Sequence, residues 1–338
     1  MAGNVTAAVQ AGVLVITGDA ADNGVNVEYI QATKTYQVIG VTPTGGTATT
    51  INGVDTSVPA NAQNFTNVTK GVRISLNGGN DNLTFGAATT TSFVVVGDLD
   101  IDTGAGNDTV AIGRNGNASG GAAPIENEVN VSKNLIVKLG LGNDTLDITN
   151  TTVAKNMTIH ADPNTGIFSA DGSDIVRFPT TFTPTGGTLT NFPVAVGGKA
   201  AVFLGGGADT FDARNFTALQ GMYLEDPTGN LTFDMIDSRI AGEFHMRKNG
   251  GTANSIEFDN VTAGTMRLNT GNGLDTIAIR DSIFAKLYMT TAGAKDQITI
   301  GNTRVTHSGL IDGGRLQARL VQEPGNVLRG VARVRTYK

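Results

Sequence analysis

Short runs of alternating apolar and polar residues recur along most of this chain. Residues 135–139 (Leu-Ile-Val-Lys-Leu), 145–148 and 156–160 alternate in this way, and Gly, Asn, Asp or Pro separates each run from the next. Alternation over about four to six residues predicts half-buried β-strands, and these separators are typical of turns. No stretch has the sustained period of a capped helix. The pattern therefore predicts an all-β fold built from short strands.

One phrase recurs between these runs: Gly, any residue, Gly, any residue, Asp, Thr and then an apolar residue. Its copies, including a variant at the start and a worn copy at the end, lie at residues 78–83, 104–110, 140–146, 205–211, 271–277 and 293–298. Asp209 and Asp275 are 66 residues apart, which is three periods of 22, and turns with Pro and Gly such as 226–231 fill the gaps. A recurring period indicates a repeat architecture whose stacked units share one core. The sequence predicts a single right-handed parallel β-solenoid with coils of about 22 residues.

The spacing divides the chain into three regions. Residues 1–72 are predicted to form an N-terminal cap and the first irregular coils, and residues 73–309 the regular coils. An insertion near 113–128 lengthens one period from 22 to 36 residues and predicts a surface loop. Residues 310–338 are predicted to form a basic C-terminal cap or docking segment.

Charge distinguishes that last segment from the rest. The chain has a net charge of −6, whereas residues 315–338 carry six basic residues against Glu323 alone, a net of +5. The segment could cover the open strand edges of the last coil. It could instead dock on the acidic body of another copy or on cell-envelope components. Nucleic acid is not expected as a partner, because the rest of the chain is acidic.

The recurring phrase resembles the Gly-Gly-X-Gly-X-Asp-X-apolar-X repeat of the haemolysin-type (RTX) calcium-binding proteins that bacteria secrete. The resemblance covers about residues 73–300. It implies export, an extracellular or cell-surface location, and calcium held in stacked turns. In that family the repeats follow one another directly. Here each long coil has one copy, and Thr165, Gly187, Gly229 or Asn254 replaces the aspartate in several coils.

The aspartates of the phrase are the candidate metal ligands: Asp81, Asp108, Asp144, Asp209, Asp275 and Asp296. Alignment brings the first three into one row and the last two into another, with neighbours about 4.8 Å apart in stacked strands. A hard cation with oxygen ligands would offset the repulsion between such carboxylates. Alternatively, each aspartate accepts hydrogen bonds from the amides of its own turn.

The sequence predicts no catalytic residues. The histidines, His160, His245 and His307, fall on different coils, too far apart for a triad or a shared metal site. There is no cysteine, P-loop or nucleophile elbow. No apolar run is long enough to span a membrane, and no signal peptide is expected at the N-terminus of this sequence.

Function is therefore predicted to be non-enzymatic: an extracellular structural, surface-layer or adhesive solenoid that assembles with itself. One alternative is a polysaccharide lyase or hydrolase, with Asp275 and either Arg267 or Arg280 as candidates, although the five scattered tyrosines predict no platform for sugar stacking. Another is ice binding, which needs a flat row of Thr-X-Thr. The threonines at 89–91 and 180–181 do not recur at the coil period.

Overall fold

Strands and turns make up the described part of this chain. The computed structural model describes residues 3–43, 46–56, 61–87, 93–113, 128–162, 172–179, 193–315, 317–334 and 336–337, and no α-helix is found among them. Their strands form two sheets, in which most pairings are parallel. The prediction of an all-β fold with parallel strands is confirmed, and the architecture is compatible with a β-solenoid.

The larger sheet has 21 strands. They are β1 (Asn4–Gln10), β2 (Val13–Thr17), β5 (Thr50–Ile51), β6 (Val54–Asp55), β8 (Gly71–Ser75), β10 (Phe93–Val95), β11 (Asp98–Ala105), β13 (Val129–Val131), β14 (Leu135–Leu141), β16 (Thr151–Val153), β17 (Met157–His160), β19 (Val194–Val196), β20 (Lys199–Phe203), β22 (Phe216–Ala218), β23 (Gly221–Asp226), β25 (Arg239–Lys248), β27 (Thr262–Gly273), β29 (Ile283–Gly293), β31 (Arg304–Asp312), β33 (Val327–Leu328) and β34 (Val331–Val334).

The smaller sheet has 14 strands. They are β3 (Gly24–Ile30), β4 (Thr35–Val41), β7 (Gln63–Phe65), β9 (Asn82–Ala87), β12 (Thr109–Ile112), β15 (Thr145–Ile148), β18 (Ile175–Phe178), β21 (Ala208–Arg214), β24 (Asn230–Ile236), β26 (Ser255–Asp259), β28 (Thr276–Arg280), β30 (Gln297–Gly301), β32 (Ala318–Gln322) and β35 (Thr336–Tyr337).

The chain alternates between the two sheets. After β14 in the larger sheet it passes through a glycine-rich turn to β15 in the smaller one, and then returns through β16 and β17 to pair beside β14. Between β20 and β27 many paired residues of the larger sheet lie 22 positions apart, as in Lys199↔Gly221, Gly221↔Glu243 and Glu243↔Thr265, whereas Arg239↔Thr262 is offset by 23. The pairing of β11 with β14 is offset by 36 residues, the length that the insertion predicts. Inserted residues 114–127 lie outside the described part.

The two ends of the chain differ in their strand pairing. Within residues 1–72, four pairs are antiparallel: β1 with β2, β3 with β4, β4 with β7, and β5 with β6. At the other end, β32 to β35 continue both sheets in parallel register. Residues 327–337 contain three short strands, and the first break between them lies near Gly330, whose φ is +60°.

The inward residues form one apolar core between the sheets. Alternation in β28, for example, places Ile277 and Ile279 inside and leaves Ala278 between them partly exposed. Phenylalanines from successive strands of the smaller sheet pack with ring centroids 5.3 Å apart for Phe211 and Phe233 and 4.9 Å apart for Phe233 and Phe258. Because no coil can bury these side chains alone, stacking is what creates the core.

Candidate functional site

The recurring phrase forms the corner at which the chain passes from the larger sheet to the smaller one. Its second glycine lies against the backbone of the neighbouring coil. At Gly207, φ is +106°, and a Cβ atom would collide with the carbonyl oxygen of Gly172. A residue with a side chain would therefore both strain the backbone and separate the coils. Close stacking at this corner explains why the phrase requires glycine there.

The aspartates of the phrase connect one coil to the next. In each step, the backbone N–H of one residue donates to Oδ1 of the equivalent residue on the following coil, at 2.7 to 2.9 Å. We call this row the aspartate ladder; its members are Asn23, Asp81, Asp108, Asp144, Asp174 and Asp209. A shorter continuation follows, in which Asn254 Nδ2 donates to Asp275 Oδ1 and the Asp275 N–H donates to Asp296 Oδ1. Each aspartate thus satisfies an amide of the adjacent coil instead of its own turn.

This arrangement agrees only in part with the predicted spacing. Asp81, Asp108 and Asp144 do lie in one row, and Asp275 neighbours Asp296. The sequence placed two turns between Asp144 and Asp209, at Thr165 and Gly187. In the structure a single coil separates them, and its ladder member is Asp174. Thr165 and Gly187 lie outside the described residues.

The ladder is interrupted after Asp209. Register pairs Asp209 with Leu231, so Leu231, and not Gly229 as expected, takes the aspartate's place on that coil. The Leu231 N–H donates to Asn254 Oδ1 at 2.9 Å, which confirms Asn254 as an aspartate replacement. The leucine side chain has no oxygen to accept a backbone N–H, and this coil consequently has a different polar arrangement at the corner.

Burial changes the acidity of the ladder. Asp81 and Asp209 are only 2% and 1% exposed. Burial raises the pKa of Asp81 to about 8, although the hydrogen bond from the Asn23 amide opposes this. Burial, opposed by the amide of Asp174 and reinforced by the charge of Asp226, raises the pKa of Asp209 to about 9. The pKa values of Asp108 and Asp296 are raised for the same reason. These carboxyl groups favour the protonated form because the charged form is poorly solvated inside the protein.

The ladder provides some but not all of what calcium requires. The second oxygen, Oδ2, of Asp81, Asp108, Asp209, Asp275 and Asp296 is buried and has no hydrogen-bond partner among the described residues. Calcium, however, takes six to eight oxygen ligands. Within the described ranges, no three or more acidic or histidine residues are grouped so as to hold a metal ion. The ladder therefore offers one carboxyl group per coil and not a complete coordination shell.

A second, more exposed row runs beside the ladder. The residue before each aspartate makes a similar bond in the opposite direction, toward the preceding coil: the N–H of Asn107 donates to Asn80 Oδ1 at 2.7 Å, and that of Asn143 to Asn107 Oδ1 at 2.8 Å. The N–H of Ser173 in turn donates to Asn143 Oδ1. The repeated Asn-Asp pair in the phrase was the available signal for this row.

The residues considered for a polysaccharide lyase or hydrolase do not lie together in one site. Asp275 is buried, whereas Arg267 pairs with Glu243 at 2.8 Å and Arg280 with Glu257 at 3.0 Å. These arginines are thus engaged by other carboxylates on outward faces.

Aromatic side chains form a row that their scattered sequence positions did not predict. The His160 ring stacks on Phe203 at 4.7 Å, Phe203 lies 5.7 Å from Tyr223, and Tyr223 lies 5.4 Å from His245. His160 and His245 are therefore separated by two other rings, as expected from their spacing. All four side chains are partly exposed, so the rings pack against one another along an outward face of the larger sheet.

Comparison with known proteins adds no relationship: no protein-family model, no curated protein and no solved structure matches this chain. Among the described residues, none forms a helix with the length and apolar character needed to cross a membrane. The threonines at 89–91 and 180–181, which bear on ice binding, lie outside the described residues.

Proposed function

We propose that this chain is a non-enzymatic structural protein that works outside the cell or at its surface, as a surface-layer or adhesive element that assembles with copies of itself. In this proposal the chain is a single right-handed parallel β-solenoid with coils of about 22 residues. The aspartate ladder is the observation that carries the proposal, because it stabilises the stacking of one coil on the next. The extracellular location rests on the resemblance to RTX proteins.

A second corner supports the structural role. Asn215, Asp237, Asn260, Asp281 and Asn302 all have φ between +44° and +53°. Asn260 Nδ2 donates to Asp237 Oδ1 at 2.7 Å, and Asn302 Nδ2 donates to Asp281 Oδ1 at 2.6 Å. Asn and Asp tolerate this left-handed conformation better than most residues. Polar side chains at two corners thus serve coil-to-coil contacts.

Self-assembly tests the proposal. The basic segment 315–338 and the acidic remainder are complementary charges on one molecule. Analytical ultracentrifugation and electron microscopy of the full chain should reveal assemblies that grow with protein concentration. The variant Arg319→Glu/Arg329→Glu, whose sites are exposed, should remain folded but assemble less. A chain that stays monomeric at every concentration would overturn the proposal.

Calcium stabilisation stays a prediction, and it can be tested separately. Oδ1 of each ladder aspartate is already occupied by a backbone amide, so the proposal does not depend on an ion. Thermal unfolding with calcium and with a chelator addresses the metal directly. A midpoint that rises with calcium, and does so less in Asp108→Asn, would support binding at the ladder; an unchanged midpoint would exclude it.

A polysaccharide-active enzyme is the second candidate, and one observation favours it. Asp212, Asp234 and Glu257 are paired positions on adjacent strands of the smaller sheet. Burial and the charges of the other two raise the pKa of Asp234. A carboxyl group with a raised pKa near a second carboxyl group is what glycoside hydrolysis uses. Product release from acidic polysaccharides that is lost in a folded Asp234→Asn variant would favour this candidate over a structural role.

A further inference from the structure

A fully buried ion pair lies at the corner of the coil in which Leu231 interrupts the aspartate ladder. Asp226 ends β23, Lys248 ends β25, and the two are direct register partners on neighbouring coils. The distance from Lys248 Nζ to Asp226 Oδ1 is 3.0 Å, and both side chains are 0% exposed. Preceding coils have apolar residues at this inward place, such as Ala161 and Leu204. A lysine and an aspartate therefore meet where the core otherwise contains hydrocarbon.

The contact is close but is not a well-formed hydrogen bond. Lys248 Nζ and both carboxyl oxygens of Asp226 have no hydrogen-bond partner of good geometry within the described residues. Two charges removed from water need such bonds to compensate for lost hydration. Burial raises the pKa of Asp226 to about 6, although the charge of Lys248 opposes this. Transfer of one proton from the ammonium to the carboxylate would leave a lysine amine, which is a nucleophile, held against a carboxyl group.

We propose that Lys248 and Asp226 form an intramolecular amide bond that covalently joins two coils. Lys248 Nζ attacks Asp226 Cγ, a C–N bond forms, and one C–O bond of the carboxyl group breaks. The oxygen that leaves takes two protons from the original ammonium and departs as water. The third proton remains on the amide nitrogen. No oxidant, reductant or activating group is consumed, and the chain loses one molecule of water.

The surroundings favour this condensation. Water, which would hydrolyse the amide, is excluded from the site. The two groups are also held next to each other by the fold, so they do not have to meet by diffusion. Asp209, buried at the same corner, has a carboxyl group that can relay the proton from nitrogen to the departing oxygen. The new bond would cross-link positions 22 residues apart in the coil where the aspartate ladder is missing. It extends beyond the proposed function, because it holds whether or not the chain assembles.

The following residue excludes the commonest competing dehydration. An aspartate can lose water by attack of the next backbone nitrogen on its side chain, which requires an N–H. Residue 227 is proline, which has no backbone N–H. Loss of water localised to Asp226 therefore indicates reaction with another group.

Peptide mapping of the full chain tests the inference. Trypsin cuts after Arg and Lys, so an unmodified chain gives the linear peptide 215–239 and cleavage after Lys248. We expect instead one species in which peptide 215–239 is joined to 248–267, lighter than their sum by one water. Recovery of only the linear peptides would overturn the proposal, with the pair then a simple ion pair.

Two variants test whether Lys248 Nζ and the Asp226 carboxyl group form the bond. Lys248→Met has a similar length and no amine, so it should give only linear 215–239. Asp226→Asn should give the same cross-linked species as the parent chain, because loss of ammonia from Asn leaves the same amide. If the Met variant does not fold, the parent chain and Asp226→Asn still decide the question. A joined peptide that persists in Lys248→Met would contradict the assignment.

Discussion

In the aspartate ladder, one carboxyl oxygen per coil accepts a backbone N–H of the neighbouring coil. Asp108 Oδ1 accepts the N–H of Asp81 at 2.7 Å in a buried site. In Asp108→Ala that amide would have no acceptor, and we expect the free energy of unfolding to fall by about 1–3 kcal/mol. Asp108→Asn is the matched control, since it keeps an oxygen in place, as Asn254 does toward Leu231. Equal losses in both variants, measured by urea unfolding, would contradict the ladder's role.

The same residues predict an unusual dependence of stability on pH. The pKa of Asp81 is about 8 and that of Asp209 about 9, against a usual value of 3.8. Between pH 4 and 9 these two carboxyl groups therefore bind more protons in the folded chain than in the unfolded chain. Stability must then be greatest in acid and fall as pH rises through the folded pKa values. We expect a higher thermal midpoint at pH 5 than at pH 9.

Asp209→Asn provides the control for this pH dependence. It removes one titrating group and keeps an acceptor for the Asp174 amide, so the difference between the midpoints at pH 5 and pH 9 should shrink. A midpoint that increases steadily from pH 5 to pH 9 in the parent chain would show that these carboxyl groups are ionised when folded.

At the scale of the strand and its turn, glycine determines how closely coils can stack. Gly207 has φ of +106° and lies against the Gly172 carbonyl, so Gly207→Ala combines backbone strain with a collision between coils. We expect a loss of about 3 kcal/mol or more. At Gly53, φ is +75° but no atom lies within 4 Å of the added Cβ, so Gly53→Ala should cost only about 1 kcal/mol. Hydrogen exchange should locate the effect at β18, β21 and β24; similar losses in both variants would argue against close stacking.

The turns and strands of a coil were predictable because alternation and glycine spacing are local. The identity of the aligned residue on the next coil was not, because insertions between coils change the offset without changing the local pattern. Asp174 was missed for this reason: only Gly172 and Ser173 precede it, without the rest of the phrase. Lys248 was missed because alternation does not predict a lysine facing inward, and only its partner Asp226 makes that place tolerable.

Across the whole molecule, charge is separated along the axis of stacking. The C-terminal residues 315–338 carry +5, so the rest of the chain carries −11 within a total of −6. The last described strands, β34 and β35, leave one edge without a paired strand among the described residues. An exposed edge invites another strand, and opposite charges select which surface approaches it. The proposed contact between copies is therefore expected to be head-to-tail.

Head-to-tail assembly driven by these charges should weaken with salt. The Debye length falls from about 10 Å at 0.1 M to about 3 Å at 1 M ionic strength, so attraction between the basic end and an acidic body is largely screened at the higher value. Sedimentation should reveal a shift from assemblies toward monomer over this range, with the folded structure unchanged by circular dichroism. Assembly of the Arg319→Glu/Arg329→Glu variant should depend little on salt concentration. Assembly that strengthens with salt would instead indicate apolar contact between strand edges, since salt screening weakens only the charge term.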